Sequence, residues 1–291
     1  MIEINLRLRP AVPADQQQIA DLILFEQRIH RHLDWRAPLE WLGYQPYFVL
    51  EKEGRVVAAL ACPPDPVSVF WIRLFVSDSN LSVSSAWSPL WDAARRELTS
   101  FTGATVAAIT TQHWFETILI ESRFASTQNI VMLEWNRQTS KSYPVPAGIT
   151  LRPMNLDDLP RVVEVDASAF EPLWQNSLPA LSKAFSQAIY ASVAENEAGF
   201  VGYQLSTGNP FGVHLARLAV RPETQGRGIA SALISDLMAH VCLDESLSRI
   251  TVNTQSDNTT SLAVYEKIGF RRTGEQYPVY IYRVDDHDAT G

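Results

Sequence analysis

Only two cysteines occur in 291 residues, Cys62 and Cys242, which excludes a disulfide framework. Neither has a partner at metal-binding or redox spacing, so both read as small buried hydrophobes. No apolar run approaches the ~20 residues needed to cross a bilayer. The opening "MIEINLRLRP" also lacks the apolar core of a secretory signal, so a cytoplasmic protein with no membrane partner is expected. Positive charge is in deficit, with 24 Lys and Arg against 32 Asp and Glu and a net charge of -8. That balance lacks the basic footprint of a nucleic-acid binder and is compatible with a cationic small substrate. Histidine is sparse, and His30 and His32, two apart, would not share the face of a helix. No metal site is expected.

What is present is a repeat. Leu8, Arg9 and Pro10 recur as Leu151, Arg152 and Pro153, 143 positions later, and each triplet is followed by an acidic residue, Asp15 or Asp158, opening an apolar-periodic run. "IRLFV" from Ile72 matches "ARLAV" from Ala216 at a spacing of 144, and Thr111 and Gln112 match Thr254 and Gln255 at 143. The polar, proline-containing stretch 138–148 has the composition of a linker. The expected organisation is therefore residues 1–137, a linker 138–148, and residues 149–291, in a chain of mixed α/β class. Each half reads as strand, one or two helices, three strands, helix, strand, helix and closing strands. In the second half "DDLPRVVEVDASAF", "SLPALSKAFSQAIY" and "GIASALISDLMAHV" carry helical spacing.

Between the strand "GVHLARLAV" and that last helix stand Gln225, Gly226, Arg227 and Gly228, followed by Ile229 and Ala230. A turn that hands a strand directly to a helix exposes the helix's first N–H groups, and glycines let a phosphate approach them. The same glycines also suit a tight connection for steric reasons alone. The spacing is not that of a Walker loop, and it is one glycine short of the dinucleotide fingerprint.

The pattern Gln225, Gly228, Ala230 after "LARLAV" resembles the acetyl-CoA signature of the GCN5-related N-acetyltransferases, and "NTTSLAVYEKIGF" resembles their second motif, from Asn258 through Tyr265 to Gly269 and Phe270. With the repeat, the resemblance implies two tandem domains, each a mixed, mostly antiparallel sheet flanked by helices, with the cofactor site in the second. It implies acetyl-CoA binding at Leu218, Ala219, Val220, Gln225, Gly226, Arg227, Gly228, Ile229, Ala230, Asn258 and Ser261. Tyr265 would be the general acid at the thioester sulfur, or a packing residue. On the spacing of the repeat, the first half has Ser82 and Ser84 at the glycine positions and Leu119 at the tyrosine position, so it is expected to keep the fold without the cofactor.

Acetyl transfer needs a neutral amine, yet a lysine-like amine is only about one part in a thousand neutral near pH 7.4. The carboxylate that often serves as base in this family is missing from "GVHLARLAV". His214 is then the candidate base, or a histidine that fills space at the strand start; Asp166 and Glu171 are further candidates. Strict alternation would put Gly212, His214 and Ala216 on one face of that strand, and Val213, Leu215 and Arg217 on the other. Phe170 and Trp174 line the acceptor cleft or pack in the core. The acceptor would be a small-molecule or peptide amine. Alternatives are a non-catalytic acyl-CoA sensor or scaffold, or acetylation of a cysteinyl amine as in enzymes similar to mycothiol synthase. The two halves are expected to pair within one chain, as a monomer or in a homodimer.

Overall fold

The computed structural model describes residues 6–101, 103–137, 142–209, 212–244 and 247–284. The first half contains β1 (Arg7–Pro10), α1 (Gln16–Phe25), β2 (Arg28–Arg31), β3 (Tyr47–Lys52), β4 (Arg55–Ala61), β5 (Val69–Trp71), β6 (Leu74–Ser77), α2 (Val83–Leu98), β7 (Thr105–Ile109), α3 (His113–Glu121) and β8 (Ala125–Asn136). The second half contains β9 (Thr150–Pro153), α4 (Leu159–Ala169), α5 (Leu178–Ser186), β10 (Ala188–Asn196), β11 (Gly199–Asn209), β12 (Gly212–Val220), α6 (Ile229–Cys242), β13 (Arg249–Gln255), α7 (Thr259–Ile268) and β14 (Arg271–Arg283). These elements fall into two compact units. One is residues 1–127 with 278–291, the other residues 128–277. Each is a mixed, mostly antiparallel α/β unit.

The units are cut differently from the sequence halves because each is completed by a strand from the other half. In the second unit, Ile130–Asn136 of β8 pair antiparallel with β13 from Gln255 to Arg249. In the first, Val279–Arg283 of β14 pair antiparallel with β7. The stretch 138–148 is also more than a spacer where it is described, its residues 138–141 lying outside the described ones. The Tyr143 N–H donates to Ser235 Oγ (3.0 Å) and its hydroxyl to the Lys267 carbonyl (2.8 Å).

The "LRP" repeat has a structural meaning. Arg9 grips Asp15 with two N–H groups (2.7 and 2.8 Å) and Glu51 with its Nε (2.8 Å). Arg152 does the same to Asp158 (2.7 and 2.9 Å) and Glu195 (3.1 Å). In both units the buried aspartate also accepts a backbone N–H, from Val12 or Asn155, and so fixes the turn that opens the first helix. These residues hold the entry of the helix against the sheet and lie apart from any cleft chemistry.

Residues 28–31 form a strand, so the one-turn argument about His30 and His32 on a helix does not apply. His30 is buried, its Nε2 lies 3.0 Å from the Ile72 carbonyl, and its ring stacks on Phe115 at 4.0 Å. Burial pushes its pKa down to about 4. Because the unfolded chain takes up a proton near the ordinary pKa of about 6.5, the unfolded state binds more protons between those two values, and stability falls as pH drops from 6.5 through 4. A single such group contributes on the order of 3 kcal/mol. Urea midpoints measured from pH 7 to 4 should fall, and His30→Gln should flatten the curve; an equal slope in both proteins would assign the loss to other groups.

Candidate active site

The second unit is ordered β9-β10-β11-β12-β13-β8. β12 and β13 are parallel, but they pair only from Val213 to Leu215 opposite Ile250 to Val252. Beyond Leu215 the two strands separate, leaving the β13-facing edge of the backbone at 216–220 open along a cleft of about 820 Å³. Ala216 has no partner on β11, where Leu205 faces Arg217 and Ser206 faces Leu215. This bulge corrects the strict alternation of the sequence: Leu215 joins Val213 in the core beneath α6, whereas Arg217 turns to the opposite face.

The turn after β12 needs its glycines. Gly226 has φ +75° and Gly228 φ +87°, left-handed values that any residue with a Cβ adopts at a cost. Gly228 is the N-cap of α6 and no side chain caps the helix, so its first-turn N–H groups face the cleft together with the positive end of its dipole. In the first unit the corresponding turn is two residues shorter. Ser82 therefore stands opposite Gly228, not Gly226, as the N-cap of α2, and its side chain accepts from the Ser85 N–H (3.1 Å). The group that α6 leaves open is satisfied internally in α2.

The cleft is lined by Leu218, Ala219 and Val220 of β12, by Gln225, Gly226, Gly228, Ile229 and Ala230 of the turn and α6, and by Asn258 before α7 with Ser261 and Tyr265 on it. Phe170, Glu171 and Trp174 line it as well. Asn258 also caps α7 by accepting from the Ser261 N–H (3.0 Å). Arg227 is exposed and is not among the lining residues. His214 is not among them either: its Nδ1 lies 2.9 Å from Thr251 Oγ1, and burial lowers its pKa. Asp166 is fully buried and committed elsewhere. Its carboxylate takes two N–H groups of Arg217 (2.7 and 3.0 Å), the Tyr203 hydroxyl (2.5 Å) and the Asn176 N–H (2.8 Å). Burial works to lower the Arg217 pKa, and the Asp166 carboxylate reverses the sign, leaving it raised.

Tyr265 is 5% exposed, and burial raises its hydroxyl pKa against the opposing pull of the Arg217 charge. The first unit has Leu119 in the same frame: Phe124 N–H returns to the Leu119 carbonyl (2.9 Å) as Phe270 N–H returns to that of Tyr265 (3.0 Å). Phe75 stands where β12 has Ala219, and its buried ring packs on Trp87 at 5.0 Å and on Trp114 at 6.0 Å. Sequence reasoning missed Gln128, Leu173, Gln255, Asp257 and Lys267 as lining residues. Gln128 lies far from the motifs in sequence and carries no local signal; Asp257 and Lys267 flank residues of the second motif and could have been found from it.

Residues 160–279 match the family described as Acetyltransferase (GNAT) domain. Over those residues the chain is similar to a GNAT acetyltransferase domain. An uncharacterized protein of Mycobacterium leprae is 27% identical over 143 residues, 47% of this chain and 37% of that one, so the match spans little more than a third of that relative's length. Two solved structures align over nearly the whole chain. The GCN5-related N-acetyltransferase from Sphaerobacter thermophilus is 16% identical with a TM-score of 0.62, covering 96% of each chain. A tandem GNAT protein from the clavulanic acid biosynthesis pathway is 16% identical with a TM-score of 0.64, covering 96% of this chain and 99% of that one. At such identities the likeness concerns the GNAT fold alone, here in tandem form.

Proposed function

We propose that the second unit is an N-acetyltransferase that moves the acetyl group of acetyl-CoA to a primary amine, with one donor site per chain. The observation that carries this is the meeting, in one cleft, of the open glycine-led N-terminus of α6, the unpaired edge of β12 and Tyr265. The first-turn N–H groups of α6 suit a pyrophosphate, and the open backbone at Leu218–Val220 suits the amide-bearing arm that follows it. Acetyl-CoA, when bound, supplies a thioester carbonyl activated for attack.

The chain's own residues orient the reactants and handle protons. The amine nitrogen forms the new C–N bond, the C–S bond breaks, one amine proton leaves to a base or to solvent, and the sulfur gains one from the Tyr265 hydroxyl. A tyrosine with a raised pKa remains neutral at physiological pH, so it meets the developing thiolate as a hydrogen-bond donor. The first unit, with Ser82 capping its own helix, Leu119 for the tyrosine and Phe75 for the alanine, serves as scaffold. Release of free thiol from acetyl-CoA against a panel of amines tests the reaction; binding without turnover of any amine would favour a sensor.

Two expected outcomes follow from the assigned atoms. Gly228→Asp places a side chain and a negative charge where the phosphates would lie; a Cβ there meets only Pro146 Cγ at 3.7 Å, and the left-handed φ of +87° adds strain of about 1–2 kcal/mol, below the stability of a typical domain. Acetyl-CoA affinity should fall at least tenfold, about 1.4 kcal/mol or more. Calorimetry showing unchanged affinity in a folded variant would remove the pyrophosphate from this turn. Tyr265→Phe should lower turnover by ~10²-fold with little change in acetyl-CoA affinity. Retained turnover would make Tyr265 a packing residue.

A further inference from the structure

The cleft is bounded on one side by the loop that joins α4 to α5, and that loop is built as a fixed wall. Its Trp174 carbonyl accepts from Arg217 (2.5 Å) and its Asn176 N–H donates to Asp166 (2.8 Å). Gln175 spends its amide on the Ala167 and Phe170 carbonyls (3.0 and 2.9 Å), and the Arg217 guanidinium lies 3.5 Å from the centre of the Phe170 ring. The polar atoms of the loop are thus turned inward. Toward the cleft it presents Phe170, Leu173 and Trp174, each half-buried, and the exposed side chain of Glu171.

The charge balance is equally one-sided. Arg217 is matched by Asp166 in a two-pronged pair, so its positive charge is neutralised where it lies. Glu171 is the one charged residue in the stretch "AFEPLWQNS". On this loop an incoming group therefore meets apolar surface and one carboxylate, while the polar lining residues Gln128, Gln255, Asp257 and Lys267 belong to other segments of the cleft. Hydroxyl groups stripped of water against this wall would find few partners, a cost of about 1–3 kcal/mol for each unpaired group.

We propose that the acceptor is a small primary amine with an aromatic or branched aliphatic body, which lies on Phe170, Leu173 and Trp174 while its ammonium meets the Glu171 carboxylate. This rests on the acetyltransferase reading above and adds the class of acceptor to it. The carboxylate lowers the cost of bringing a cation into the cleft, and the apolar body supplies binding area that a polyamine or an amino sugar lacks.

Thiol release at saturating acetyl-CoA should be measured with 2-phenylethylamine and 3-methylbutylamine against glucosamine and spermidine, alongside calorimetry of acetyl-CoA alone. The apolar amines should show kcat/KM at least tenfold above the polar ones. Glu171→Gln and Trp174→Ala should each raise KM for 2-phenylethylamine at least tenfold and leave acetyl-CoA affinity within twofold. Both substitutions alter cleft-facing side chains and keep the backbone contacts of the loop. Equal or better turnover of glucosamine or spermidine, or an unchanged KM in Glu171→Gln, would overturn the assignment while acetyl-CoA still bound. Acetyl-CoA that binds with no turnover of either apolar amine would also overturn it. No heat from acetyl-CoA alone would instead sink the donor reading on which it stands.

Discussion

A fragment of residues 149–284 is expected to be unfolded, whereas one of residues 128–277 is expected to fold and to bind acetyl-CoA. The first contains every motif of the second half but lacks the strand that β13 pairs with, from Ile130 to Asn136. It also lacks Val131, Leu133 and Trp135, which are 3%, 0% and 2% exposed and belong to the same core as Leu237, Val252 and Tyr265. Burying a large apolar side chain stabilises by about 1.5–3 kcal/mol, so three of them account for roughly 5–9 kcal/mol. A domain's whole stability is about 5–15 kcal/mol. Removing the strand also leaves β13 as an open edge. Circular dichroism and urea titration of both fragments would decide the matter. Cooperative unfolding of 149–284 near the midpoint of the full chain would show that the exchanged strand is dispensable.

That expectation could not be drawn from the sequence. The apolar content of residues 125–136 and 271–283 identifies two strands, but a strand's pattern says which of its faces is buried and not which neighbour it pairs with. The local elements were far more legible. The glycine turn, the helix after it and the helix from Thr259 follow from cap, spacing and period, and the "LRP" clamp repeats because the same arginine must grip the same two carboxylates in each unit. Reading failed where regular geometry fails. The bulge at Ala216 moves Arg217 across the sheet, so an alternation argument assigned it to the wrong face. The arginine shared by "IRLFV" and "ARLAV" was the available signal. In the first unit Arg73 is also buried against an aspartate, Asp34 at 2.7 Å, and lies over the Trp41 ring at 4.7 Å. A charged residue kept at one position of an apolar run in both halves marks a buried pair, and with it the reason why Asp166 is not free to act as a base.

The largest effect of a single substitution is expected at that pair. Asp166→Ala should cost about 3–5 kcal/mol of stability, because Arg217 would remain buried, 13% exposed at its side chain, with its carboxylate gone. The Tyr203 hydroxyl and the Asn176 N–H would lose their acceptor in the same step, which adds to the loss. Removing both charges is a different case. In Asp166→Leu combined with Arg217→Met no uncompensated ion is left, the two side chains fill similar volume, and stability should return to within about 2 kcal/mol of the parent. Stability and function should then part company. The double variant loses the Arg217 grip on the Trp174 carbonyl and the stack beneath Phe170, so the loop from 170 to 176 should loosen; on the proposed function, KM for the amine should rise with acetyl-CoA affinity unchanged. Urea midpoints of the two variants together with acetyl-CoA calorimetry provide the test. A cost below 1 kcal/mol for Asp166→Ala, or a double variant less stable than the single one, would mean that the pair's electrostatics do not govern this part of the fold.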